Sequence, residues 1–190
     1  IDPTDWMAEQ QGSHPWDLVI LGNLHSCNIS LKFLKPLVDE GIPLVWYAHD
    51  LDLLGGGCAY PQYYDCNQFQ IGCDDSECPK SDDQYPTASN GRIRQQYLQR
   101  SQIFQHPGVQ LVTHSRWSAR QLRERFSSQQ VMEIPLGVDT EVFRPNDKPA
   151  ELRQELGLDS ERFTVVVGAD SLDRIGKGGH ILRELLPRIL

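Results

Sequence analysis

Short apolar runs alternate with stretches of helical period along most of the chain. Asp17 to Gly22 (DLVILG) has the length and character of a buried parallel strand, with polar Asn23 and His25 just beyond it. Ile29, Phe33, Leu34, Leu37 and Val38 then recur at helical spacing; Asn28 or Ser30 can cap this helix and Gly41 stops it. Leu44 to Ala48 (LVWYA) is the next buried strand, so strand, helix and strand follow one another as a βαβ unit with a right-handed crossover. Farther on, Ile93, Tyr97 and Phe104 mark a helix and Val109 to Thr113 a strand. Ala119, Leu122 and Phe126 mark a helix starting near Ser115, and Val131 to Pro135 is another short strand. The alternation predicts an α/β fold, a Rossmann-type parallel sheet with helices on both faces.

Two segments break the pattern. From His49 to about Ala88 no period survives, and Gly55, Gly56, Gly57, Pro61, Pro79 and Pro86 punctuate a loop too long to be a plain connection. With so few apolar residues, the loop is either tied down by a crosslink or a functional insertion. Gly137 to Pro149 also lacks an apolar period. A short helix at Glu151 to Leu156 follows, then a buried strand at Phe163 to Val167, a polar turn from Gly168 to Gly179, and an amphipathic helix carrying Ile181, Leu182, Leu185, Leu186 and Ile189. The expected organisation is a first domain over 1–136 with an insertion at 50–88, a linker over 137–160, and the truncated start of a second α/β domain over 161–190.

Composition narrows the function classes. The chain has 190 residues, 39% hydrophobic and 23% charged, which excludes collagen-like and low-complexity readings. A net charge of −8 argues against broad nucleic-acid binding, so an anionic ligand must be held locally. No apolar run reaches the roughly 20 residues of a spanning helix. The chain opens on Ile1 without a basic or apolar leader, so no secretory signal is visible and a fragment is expected.

Four of the five cysteines crowd together with the spacing Cys58-x7-Cys66-x6-Cys73-x4-Cys78. Four thiolates on one loop suit structural zinc; two disulfides are the rival crosslink, unlinked thiols the third alternative, and Cys27 is read as a small buried residue. His49 and Asp50 follow a strand directly, where open α/β sheets bind their ligands, and His25 and His114 also stand just past strand ends. His14, His106 and His180 have no such context and are read as surface residues. The glycine-rich turn Gly168 to Gly179 (GADSLDRIGKGG) carries Arg174 and Lys177 before a helix, a setting that can hold phosphate oxygens, although it matches neither a Walker A nor a GxGxxG pattern. Arg116, Arg120 and Arg123 form one stripe of a helix, opposite Ala119, Leu122 and Phe126. Such a stripe is either a solvated face or a contact for anionic headgroups or substrate.

Several blocks together resemble the GT4-type retaining glycosyltransferases, which have the two-Rossmann GT-B fold. They are VWYAHDLDLLGGGCAYP (Val45 to Pro61), the cysteines ending in Cys78-Pro79, VTHSRWSARQL (Val112 to Leu122), and above all IPLGVDTEVFRP (Ile134 to Pro145). The last is similar to the family's IPNGVDTEVFKP at the passage between domains, with Leu136 in place of the usual Asn. The cysteine-bearing insertion is closer to a subset associated with bacterial surface-polysaccharide synthesis. The resemblance covers about residues 17 to 190.

It implies transfer of a sugar from a nucleotide-sugar donor to an acceptor hydroxyl with retention of configuration, in the cytoplasm or peripherally at the inner face of the membrane. Lys177 matches the family's phosphate-gripping lysine; Ala169 and Asp170 stand where its partner arginine is usual, and Arg174 is the candidate substitute. His49 matches the catalytic-edge histidine near the transferred sugar, with Asn23, His25 and Asp50 on the acceptor or sugar side. No catalytic metal is implied. The family's first strand with its glycine loop would precede Asp17, and its acidic E-x7-E segment would lie beyond Leu190. The chain is therefore expected to be the middle of an enzyme and inactive alone. The rival reading is a noncatalytic carbohydrate- or partner-binding module with a metal-stabilised loop.

Overall fold

The computed structural model describes residues 16–24, 31–79, 92–126, 131–173 and 175–189, with the isolated positions 5, 9, 10 and 12. The chain divides into two compact units, Ile1–Pro135 and Leu136–Leu190.

The first unit is α/β. Its sheet has four strands, β1 (Val19–Leu21), β2 (Leu44–Ala48), β3 (Val109–Thr113) and β4 (Val131–Glu133), all parallel and laid side by side in chain order. The register aligns Val19 with Leu44 and Leu44 with Val109. Between β1 and β2 a 3-10 turn (Leu31–Phe33) leads into helix α1 (Leu34–Asp39), which ends where Gly41 takes the left-handed φ of +80°. The caps expected for it, Asn28 and Ser30, lie outside the described residues, as do His25 and Cys27. Between β2 and β3 come the short helix α2 (Gln68–Ile71) and the longer α3 (Ile93–Phe104); α4 (Arg116–Arg125) joins β3 to β4. As expected, α4 starts at Ser115, whose hydroxyl accepts the Ser118 amide.

A parallel sheet that steps in one direction with right-handed crossovers collects its helices on one side. Leu44, Trp46 and Ala48 of β2 and Val109, Leu111 and Thr113 of β3 are buried on one face; on the other, Ile20 and Met132 are exposed while Val112 is buried. The α/β class and the parallel sheet with helices, expected from the sequence, are found. The Trp46 ring meets Phe104 edge-on at 4.9 Å, and Phe104 meets Phe126 at 6.2 Å, so one aromatic column joins sheet, α3 and the end of α4.

The segment after β2 departs from expectation. Residues 51–59 are buried throughout, and Leu51, Leu53, Leu54 and Phe69 belong to the main core. The loop does not lack apolar anchors; they sit on short 3-10 turns, at Asp52–Leu54 and Pro61–Tyr64, which carry no periodic signature.

The second unit holds α5 (Pro149–Glu155), a 3-10 turn at Ile175–Lys177 and α6 (Gly179–Ile189). The expected strand at 163–167 does not form: Phe163 is 94% and Val166 89% exposed. A parallel strand exists only through its ladder, and no described strand pairs with it. Instead Arg153 of α5 reaches the segment, donating to the Thr164 hydroxyl at 3.0 Å. Among the described residues no helix is long and apolar enough to cross a membrane.

Candidate functional site

The carboxyl ends of β1, β2 and β3 place Asn23, His49 and His114 in neighbouring positions, because each stands one or two residues past a strand in a register without offsets. The His49 side chain is exposed. Its ring stands perpendicular to Tyr47 at 4.8 Å and lies 6.0 Å from the ring of His114. Gly22 borders it, since a Cβ there would stand 3.8 Å from His49 Nε2. Tyr47 donates its hydroxyl to the carbonyl of Ile134 at 2.8 Å, tying β2 to the segment after β4.

Asn23 and Asp50 come together, but in a bracing role. Asp50 is buried; one carboxylate oxygen accepts the Asn23 amide at 2.7 Å and the other the Asp52 backbone N–H at 3.0 Å. The pair clamps the β1 and β2 ends and leaves His49 as the exposed group of the row. Sequence reasoning missed what lies behind His114. Its Nδ1 is buried without a partner, and Thr113 and Ser118 share a hydroxyl contact of 2.6 Å while Thr113 donates to Ala48 at 3.2 Å. The polar residues of the stretch Thr113 to Ser118 were the available signal.

The four clustered cysteines also converge. Cys58, Cys66, Cys73 and Cys78 line one small cavity of about 10 Å³, closed by Gly56 and Phe69, and no disulfide joins them. Burial, reinforced by the neighbouring sulfurs, pushes the Cys58 thiol from 9.0 up to about 12; burial likewise raises Cys73 to about 11. Among the described residues no set of three or more His, Cys, Asp or Glu side chains already stands as a metal-binding group.

In the second unit, Lys177 closes the 3-10 turn before α6 and its ammonium lies 3.7 Å from Asp170, both half-exposed. Asp170 thus occupies the cation that the resemblance assigns to phosphate. Gly179 at the start of α6 is required by packing: a Cβ would collide with the Leu172 carbonyl. Arg174 lies outside the described residues, as does His14. His180 is exposed, and His106 accepts the Gly108 amide through Nδ1 at 3.1 Å.

The arginine stripe of α4 faces outward, with Ala119, Leu122 and Phe126 buried behind it. Arg116 is 4.0 Å from Glu133, Arg123 donates to the Val131 carbonyl at 2.9 Å, and the exposed Trp117 stands among them.

Comparison with protein-family models, with curated proteins and with solved structures gives no match.

Proposed function

We propose that the chain is part of a GT4-type retaining glycosyltransferase of GT-B fold that moves a sugar from a nucleotide-sugar to an acceptor hydroxyl in surface-polysaccharide or glycoconjugate synthesis. The observation that supports this reading is the exposed His49, braced by the Asn23–Asp50 clamp and flanked by Gly22 and His114, at the carboxyl edge of a parallel sheet. The glycine at position 22 leaves room for a sugar ring or phosphate to approach the backbone.

In the reaction the bond from the anomeric carbon to the phosphate oxygen breaks and a bond to the acceptor oxygen forms, while the acceptor hydroxyl's proton passes to the departing diphosphate. Charge develops on the leaving diphosphate, and Lys177 is the cation that stabilises it once the anion displaces Asp170. His49 hydrogen-bonds the transferred sugar, its ring held in place by Tyr47. The outward arginines and Trp117 of α4 suit an anionic membrane surface where a lipid-linked acceptor resides.

The deciding experiment assays the full-length gene product with a panel of nucleotide-sugars, following transfer and anomeric configuration by NMR. His49→Ala is expected to lower transfer on the order of 10²-fold, and Lys177→Ala to weaken donor use. Glycan binding without nucleotide binding by the same protein would replace this reading with a noncatalytic carbohydrate-binding module. Co-sedimentation with anionic and neutral vesicles tests the membrane contact; equal, salt-insensitive binding to both would remove it.

A further inference from the structure

We infer that Cys58, Cys66, Cys73 and Cys78 form a tetrathiolate site for one structural zinc ion that pins the loop between β2 and α3. Four sulfurs from separate turns of that loop line the same cavity, whose remaining walls include Gly56, Phe69 and Ile93. Asp74 and Gln68 also line the cavity, but four soft sulfurs outnumber those hard oxygens and select a tetrahedral thiophilic ion.

The backbone is arranged for convergence. Gly57, Asp65 and Gly72 have positive φ values of 128°, 48° and 142°, and each immediately precedes a cysteine of the set. Three times the chain makes a turn that ordinary residues avoid and then presents a sulfur. Asp65 is the only described non-glycine residue to do so, and there it ends the 3-10 turn Pro61–Tyr64 as its left-handed cap.

The surroundings fit the charge of the loaded site. Four thiolates and one divalent cation leave two negative charges, which need donors in the second layer. The Gly56 amide donates to the Cys73 sulfur, the Cys58 backbone amide serves Cys58, and the Arg100 guanidinium acts on Cys73. Arg100 is itself buried, and its Nε has no partner. Among the described residues the sulfurs do not stand as a metal-binding group, so loading the site requires zinc to displace the thiol protons and draw the sulfurs in. The ion also reaches α3, because Asp75, between Cys73 and Cys78, accepts the Ile93 and Arg94 amides at 3.1 and 3.3 Å and so caps that helix. This assignment stands whether or not the chain transfers sugar.

The test uses the 190-residue chain purified under reducing conditions without chelator. Elemental analysis is expected to find one zinc ion per chain. Cobalt(II) added after zinc removal is expected to give the visible bands of a tetrahedral thiolate complex. Cys73→Ser should abolish that spectrum, Cys27→Ser should preserve it, and Arg100→Met should lower zinc affinity about 10- to 100-fold. Should Cys73→Ser fail to fold, hydrogen exchange on the unaltered chain decides: removing zinc is expected to lower protection in the first turn of α3, and restoring it to recover that protection. A folded, zinc-free chain with no cobalt spectrum, two mapped disulfides among these cysteines, or bound iron with inorganic sulfide would each overturn the proposal.

Discussion

The Asp50 carboxylate accepts the Asn23 side-chain amide at 2.7 Å, joining the carboxyl ends of β1 and β2 across 27 positions of sequence. Asp50 is buried and its other oxygen holds the Asp52 amide. Asp50→Ala strands both donors and is expected to cost about 2–4 kcal/mol, with Asn23→Ala costing less, near ~1–2 kcal/mol. Urea unfolding of the two variants checks the order; an Asp50→Ala protein as stable as its parent would show that the clamp does not hold the strand ends.

Much of the sheet was legible in the sequence because parallel strands are continuous apolar runs: DLVILG, LVWYA and the run from Val109 each contain the strand observed. The convergence of Cys58 to Cys78 was expected from their crowding on a loop that read as poor in apolar anchors, and they line one cavity although Leu51, Leu53, Leu54 and Phe69 anchor that loop in the core. What was not legible rests on distant partners. Asp75 caps α3 from 18 residues before Ile93, so no local capping pattern exists, and Asp50 reads as an open site residue until Asn23 is placed against it. FTVVV has strand composition, yet composition cannot supply the neighbouring strand that a ladder needs.

Gly56 is packed against α3. A Cβ there would lie 2.5 Å from Ile93 Cγ2 and 2.7 Å from the Ile93 carbonyl oxygen, and the carbonyl cannot swing aside as a side chain can. Gly56→Ala is expected to destabilise the first unit by about 1–3 kcal/mol. Gly137→Ala, where nothing lies within 4 Å of the added carbon, is the control and should stay within about 0.5 kcal/mol of the parent. Thermal melts of both proteins separate crowding from a general effect of replacing glycine.

Arg100 of α3 faces Asp52 at 3.7 Å with both side chains nearly closed to water, and its Nη1 donates to Gln96 at 3.3 Å. Removing one member leaves a buried charge without its counterion. Asp52→Ala is therefore expected to cost about 3–5 kcal/mol, more than the double variant Asp52→Leu with Arg100→Met, which removes both charges. Chemical denaturation of single and double variants supplies the comparison; a double variant less stable than Asp52→Ala would mean that Arg100 acts chiefly through packing.

The raised thiols make the metal-free chain sensitive to alkali. Cys58 and Cys73 titrate at about 12 and about 11 in the folded chain, against 9.0 for an unhindered cysteine, because burial disfavours the thiolate. Above pH 9 the unfolded chain therefore binds fewer protons than the folded one, and stability falls as pH rises, by up to ~1.4 kcal/mol per pH unit for each thiol. Below pH 9 both states keep their protons and the contribution is fully present. Zinc reverses the sense: metal-bound sulfurs carry no proton, so the alkaline loss should vanish, and destabilisation should come instead on acidification as protons compete for the ligands. Melting temperatures recorded across pH with zinc and with chelator check this, and superimposable profiles in the two conditions would show that no metal is held by these cysteines.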